Sequence, residues 1–174
     1  MSSHYAQVFW QLIVTPFQHV ELVWGIVPLY FGWFLNELTS GKANARTALN
    51  TGFSFVWSGA NWLWQTFGNR PSRAPAVSLD LLMAVNMAVT FAVIFIGLVA
   101  LGCGLRRKFP AGLSFLGHSR FSNYFMITIF PMQAHYLKWH WDQVVAILIF
   151  AVPLWVACHF GFKPLRKGSK LGKD

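Results

Sequence analysis

Six histidines give this 174-residue chain most of its capacity for chemistry. An imidazole on a membrane helix can hold haem iron or the magnesium of a chlorin, and two on facing helices can hold one haem between them. His19, His135 and His140 fall at one end of the apolar stretches, His118 and His159 at the other, and His4 in the amino-terminal segment. That layout pairs His19 with His135 at one membrane level and His118 with His159 at the other, as candidate ligands of haem b or a (bacterio)chlorophyll. It departs from the common dihaem plan, in which the same two helices supply both levels. Here only the fourth apolar stretch contributes to both, and His118 precedes that stretch. Histidine is also an ordinary hydrogen-bonding residue at a membrane boundary. A second grouping, His19, Glu21, His135 and His140, offers N and O donors of the kind zinc or copper accepts. Its separations, His19-x-Glu21 and His135-x-x-x-x-His140, are not ligand spacings, and no metal is expected.

Other chemistry is thin. Glu21 and Glu37 are the carboxylates of the first apolar stretch, and both lie within about one turn of an end, where Glu37 can pair with Lys42 or Arg46. A proton or ion path would need an acid at midplane, whereas the midplane positions are neutral, as at Ser58 and Asn86. There is no G-x-S-x-G elbow, H-E-x-x-H pair or phosphate-binding loop. His118 and Ser119 are adjacent and so do not face each other as a base and nucleophile. Cys103 and Cys158 fall at the same end of their stretches and read as small buried side chains rather than a disulfide. No catalysis is expected.

The elements that position these residues follow from the charges. Only 11% of residues are charged and 55% are hydrophobic, against roughly 25% charged in a soluble domain. A charge at the bilayer centre costs about 2.5–3.5 kcal/mol, which drives Lys and Arg to the ends of spanning helices. The pattern predicts an all-α, single-domain, polytopic membrane protein with five spans at about 20–38, 49–67, 79–105, 121–137 and 144–162. The second is the more polar, and the fourth is short, carries Pro131 and reads as a kinked or re-entrant span. Alternating the five with the amino end outside puts eleven of the 14 Lys and Arg inside and leaves Arg70, Arg73 and Lys138 outside. That asymmetry favours N-out, C-in. Asp80 and Asp142 then sit at the outer starts of helices, where a carboxylate suits the positive end of the dipole.

Residues 1–16 lack the basic start and cleavage site of a signal peptide. Val8, Phe9, Leu12 and Ile13 share one helical face, with Gln7 and Gln11 opposite, so this segment reads as an interfacial helix that Pro16 ends. Residues 163–174 form a basic tail suited to anionic headgroups. The net charge of +9 follows from this topology, and no nucleic-acid motif accompanies it. Six of the nine Trp (Trp10, Trp24, Trp62, Trp64, Trp139, Trp141) map to the outer end, as an aromatic belt would. Small residues recur at helical spacing in Ser54-x-x-x-Ser58, Ala84-x-x-x-Ala88 and Ala100-x-x-x-Gly104, positions that let backbones approach. Together these features lead to an accessory subunit of a larger respiratory or photosynthetic membrane complex. Its expected partners are other integral subunits and lipid, in a bacterial cytoplasmic membrane with the carboxyl end in the cytoplasm. The alternative is a haem- or (bacterio)chlorophyll-binding electron-transfer protein that uses the histidines above.

Overall fold

The computed structural model describes residues 2–38, 44–68, 81–108 and 120–168. His118, Asp80, Lys42 and the end of the basic tail lie outside the described residues. The described chain is all helix: α1 (Ser2–Gln18), α2 (Val20–Leu38), α3 (Ala45–Leu63), α4 (Leu81–Arg106), α5 (Arg120–Gln133), α6 (Trp141–Gly161) and the short α7 (Lys163–Gly168). A single π-helical turn, Trp64–Gly68, prolongs α3.

Two helices are long and apolar enough to cross a membrane by themselves: Leu81–Arg106, with mean hydropathy 2.5, and the run Trp141–Leu165, with 2.3. The pair α1 and α2 makes a third if it is counted as one broken span, with a bend of 111° at His19. The remaining two segments fall short for separate physical reasons. In α3 a stripe of Thr47, Thr51, Ser54, Ser58 and Gln65 is buried, while Phe53, Trp57 and Trp64 face outward. Its polar residues are therefore interior, and its outward face is more apolar than its average hydropathy. Helix α5 has 14 residues, about 21 Å, against a hydrocarbon core of about 30 Å. It is nearly enclosed, with Met126, Ile127, Ile129, Phe130 and Met132 buried at the centre of the core.

Contacts between helices show their directions. A Cβ at Gly52 would meet Gly97, and one at Gly104 would meet Ala45, so α3 and α4 run antiparallel. Gly25 lies against Phe130 and Trp33 against Tyr124, so α2 and α5 are antiparallel. Trp33 also meets Phe162 beyond the end of α6, and α6 therefore descends beside the rising α5. From α2 to α6 each helix reverses the last.

Proline and capping chemistry shape the ends. Asn44 starts α3 with a capping box: its Oδ1 accepts from the Thr47 amide at 2.9 Å, and its amide donates to Thr47 Oγ1 at 3.0 Å. Pro28 has no N–H for the Trp24 carbonyl one turn back, and Trp57 Nε1 of α3 donates to that carbonyl at 2.6 Å instead. Next to it the Ser54 hydroxyl lies within reach of the Pro28 carbonyl (2.9 Å) and of its own helix's Asn50 carbonyl (2.8 Å), and Asn50 Nδ2 donates to the Gly32 carbonyl (2.9 Å), so α3 offers donors to the irregular stretch of α2. Pro16, expected to end α1, lies inside it, and the helix runs on to Gln18. The Thr15 hydroxyl donates back to the Gln11 carbonyl at 2.7 Å across that weakened turn. As expected, Phe9, Leu12 and Ile13 face inward from α1, and Gln7 and Gln11 face out.

Two helices end in Schellman turns without glycine. After α4, Arg107 and Lys108 donate to the Gly104 and Cys103 carbonyls (3.3 Å each) with Arg107 at φ 52°. After α5, His135 and Tyr136 donate to the Met132 and Pro131 carbonyls (3.1 and 3.0 Å) with His135 at φ 63°. An L side chain in this left-handed region costs about 1–2 kcal/mol that glycine would not.

Candidate functional site

The polar residues gather at the two ends of the bundle. At the end where α2 begins, the π-helical turn after α3 and the Schellman turn after α5 bring Thr66, His135 and Tyr136 against His19 and Glu21. His135 Nε2 lies 3.0 Å from Thr66 Oγ1, which is also 2.8 Å from the Trp62 carbonyl. The direction of this bond follows the His135 tautomer: Nε2 donates when it carries the ring proton and otherwise accepts from Thr66. The Tyr136 hydroxyl donates to Glu21 Oε1 at 2.5 Å, and its ring packs on His19 with centroids 4.5 Å apart. Gln65 Nε2 donates to the Glu21 carbonyl at 3.3 Å. His19 and His135 thus lie at the same end of the bundle, each with its own partner: the Tyr136 ring for His19 and Thr66 for His135.

His140 does not join them. Its Nδ1 accepts from the Asp142 amide as the N-cap of α6 and lies 3.2 Å from Asp142 Oδ2, which His4 Nε2 approaches at 3.7 Å. The four-residue grouping of His19, Glu21, His135 and His140 thus divides in two. Among the described residues no three His, Cys, Asp or Glu side chains form a set that could hold a metal ion. Asp142 takes the helix-start position expected of it.

At the opposite end His159 meets Glu37, with Nδ1 3.8 Å from Oε2. Glu37 lies within a turn of the end of α2, and its side chain is fully buried where α2, α5 and α6 meet. The turn of α2 that carries it is tied to α3, because Asn36 Nδ2 donates to Thr51 Oγ1 at 2.9 Å. The His159 ring rests between Trp155 (5.9 Å) and Phe160 (5.5 Å). Cys103 and Cys158 are free thiols, as expected.

The three small-residue pairs have separate fates. Ser54 and Ser58 face α2, with their hydroxyls in reach of the Pro28 carbonyl and, at 3.3 Å, of the Gly25 carbonyl. Ala100 and Gly104 are buried, and Gly104 lies against Leu49 and Ala45 of α3. Ala84 and Ala88 are exposed, and Ala92 continues their line.

No family model, curated protein or solved structure matches the chain.

Proposed function

We propose that the chain is a structural, accessory subunit of a larger membrane complex of respiratory or photosynthetic type, without catalysis of its own. The observation that carries this reading is the unused Ala84–Ala88–Ala92 line on α4. In lipid no hydrophobic force drives helices together, so close packing at small residues does. Two of the three small-residue pairs are spent inside the chain, and the third faces outward beside Leu81, Val85, Phe91 and Phe95. A helix of another integral subunit would fit there. The other face of the same reading is topological. Five spans, N-out and C-in, in a bacterial cytoplasmic membrane are supported by the alternation of α2 to α6. They are supported too by the collection of Arg46, Arg106, Arg107, Lys108 and Lys163 at one end, opposite Lys138. The amino-terminal helix α1 would lie along the outer boundary, and the basic tail would meet anionic headgroups.

The test is assembly. In mild detergent the protein should migrate with co-purifying subunits, and Ala84→Ile with Ala88→Ile should release it as a lone species. Because both side chains face outward, the melting temperature of the released chain should stay within a degree or two of the parent. A wild-type chain that migrates alone, with no crosslinked neighbour in native membranes, would sink the reading.

The alternative, ligation of haem b or a (bacterio)chlorophyll, draws support from His19 and His135 lying at the same end of the bundle, against Tyr136 and Thr66 respectively. Ligation through His135 Nε2 would displace Thr66, whereas ligation through Nδ1 would leave that bond in place. On the scaffold reading the purified protein is expected to show no stoichiometric Soret or chlorin band. A band lost in the His135→Ala variant would replace the scaffold reading with this one.

A further inference from the structure

We propose that the basic turn closing α4, Arg106, Arg107 and Lys108, binds the phosphate of an anionic membrane lipid. The inference rests on α4 crossing the membrane and not on the subunit reading, so a chain that purifies alone leaves it standing.

Three observations converge on this turn. First, the cations are fixed relative to one another. Arg106, Arg107 and Lys108 are successive and exposed, and the Schellman hydrogen bonds hold their backbone. A Cβ at Gly104 would lie 3.1 Å from the Ala45 carbonyl, so the first turn of α3 abuts the last turn of α4. Second, Arg107 stands at φ 52°, where glycine would close the helix without strain. A general bias of positive charge toward one side of the membrane would be served by an arginine anywhere in the following segment. Placing it in the strained position instead starts its side chain from a fixed backbone point between Arg106 and Lys108. Third, the surface leading to the turn is built for an acyl chain. Leu98 and Leu105 are exposed on α4 to either side of Gly102, where a side chain would meet nothing within 4 Å. A free phosphate would use the cations alone, whereas a lipid would use the cations and the notch above them.

The experiment uses the full chain in neutral detergent, titrated with phosphatidylglycerol, phosphatidylcholine or inorganic phosphate. Binding is read by thermal melting and by quenching of tryptophan with brominated lipid. Phosphatidylglycerol should raise the melting temperature, and the other two should not at equal concentration. Arg107→Asn, which tolerates the left-handed backbone without the charge, should bind phosphatidylglycerol about fivefold more weakly. Arg107→Lys should retain most of the binding. Arg107→Gly should melt at or above the wild-type temperature without lipid yet lose affinity to the same degree. Wild-type affinity in both the Asn and Gly variants would overturn the proposal. Equal stabilisation by inorganic phosphate would reassign the turn to a free anion and overturn the lipid.

Discussion

Gly52→Leu is expected to abolish the packing of α3 on α4, and Gly52→Ala alone to cost about 1–3 kcal/mol. A Cβ built at Gly52 would lie 2.7 Å from the Gly97 carbonyl oxygen and 2.7 Å from the Leu101 amide nitrogen. Both are backbone atoms of the facing helix and cannot rotate away, so the helices must separate along the whole contact. The reciprocal position, Gly97, is as tight, with the Gly52 carbonyl 3.0 Å from its own would-be Cβ. Separation is severe in a membrane because close packing is what holds the pair together there. Two other glycines calibrate the effect. A Cβ at Gly59 would press on the side chain of Ile94, which can change rotamer, so Gly59→Ala should lose less. At Gly102 the space is open, and alanine should gain up to about 1 kcal/mol from helix propensity. Unfolding by titrated SDS in mixed micelles would rank the four variants. Equal midpoints for Gly52→Ala and Gly102→Ala would refute the close backbone approach.

The same contrast shows what the sequence could and could not disclose. Hydropathy located α4 and α6 closely because both present most of their surface to the outside, with only 28% and 17% of their apolar windows buried. The pattern is weaker for α3 and α5, whose environment is other helices. The buried stripe from Thr47 to Gln65 reads as polarity in the sequence, yet it faces α2 and the interior. The small-residue spacing correctly marked Ala100 and Gly104 as packing positions, but it could not distinguish the inward pair from the outward Ala84 and Ala88. Helix ends were misread where chemistry departs from statistics. Glycine is the usual C-terminal signal, whereas α4 and α5 close on Arg107 and His135, and the fourth span was extended to residue 137 for lack of any stop mark. The sequence separates His19 and His135 from His159, and the bundle places them at opposite ends. Their partners are not legible in the sequence, because the fold brings Thr66 to His135, Tyr136 to His19 and Glu37 to His159 from 69 or more residues away.

Loss of the Trp57 indole N–H is expected to be costly only while residue 28 is proline. Proline leaves the Trp24 carbonyl without its helical donor, and Trp57 Nε1 supplies the replacement at 2.6 Å. In a bilayer no water stands ready to take over, so an abandoned carbonyl bears its desolvation penalty, about 1–3 kcal/mol. Trp57→Phe removes the donor and leaves an aromatic ring to pack on Phe53, with which it is stacked at 5.8 Å. The side chain is 45% exposed, so the lost ring volume is replaced largely by lipid and little core packing goes with it. Pro28→Ala restores an amide that can bond the Trp24 carbonyl directly. In that background Trp57→Phe should cost close to nothing, and the double-mutant cycle should show a coupling of about 1–2 kcal/mol. The single Pro28→Ala variant should be no less stable than the parent, provided the Ser54 hydroxyl keeps the residue 28 carbonyl, which the substitution leaves in place. Melting of the four proteins in one detergent measures the cycle. An identical loss from Trp57→Phe in both backgrounds would mean that the indole acts through packing alone, and that the irregular stretch of α2 is held by Ser54 and Asn50 without it.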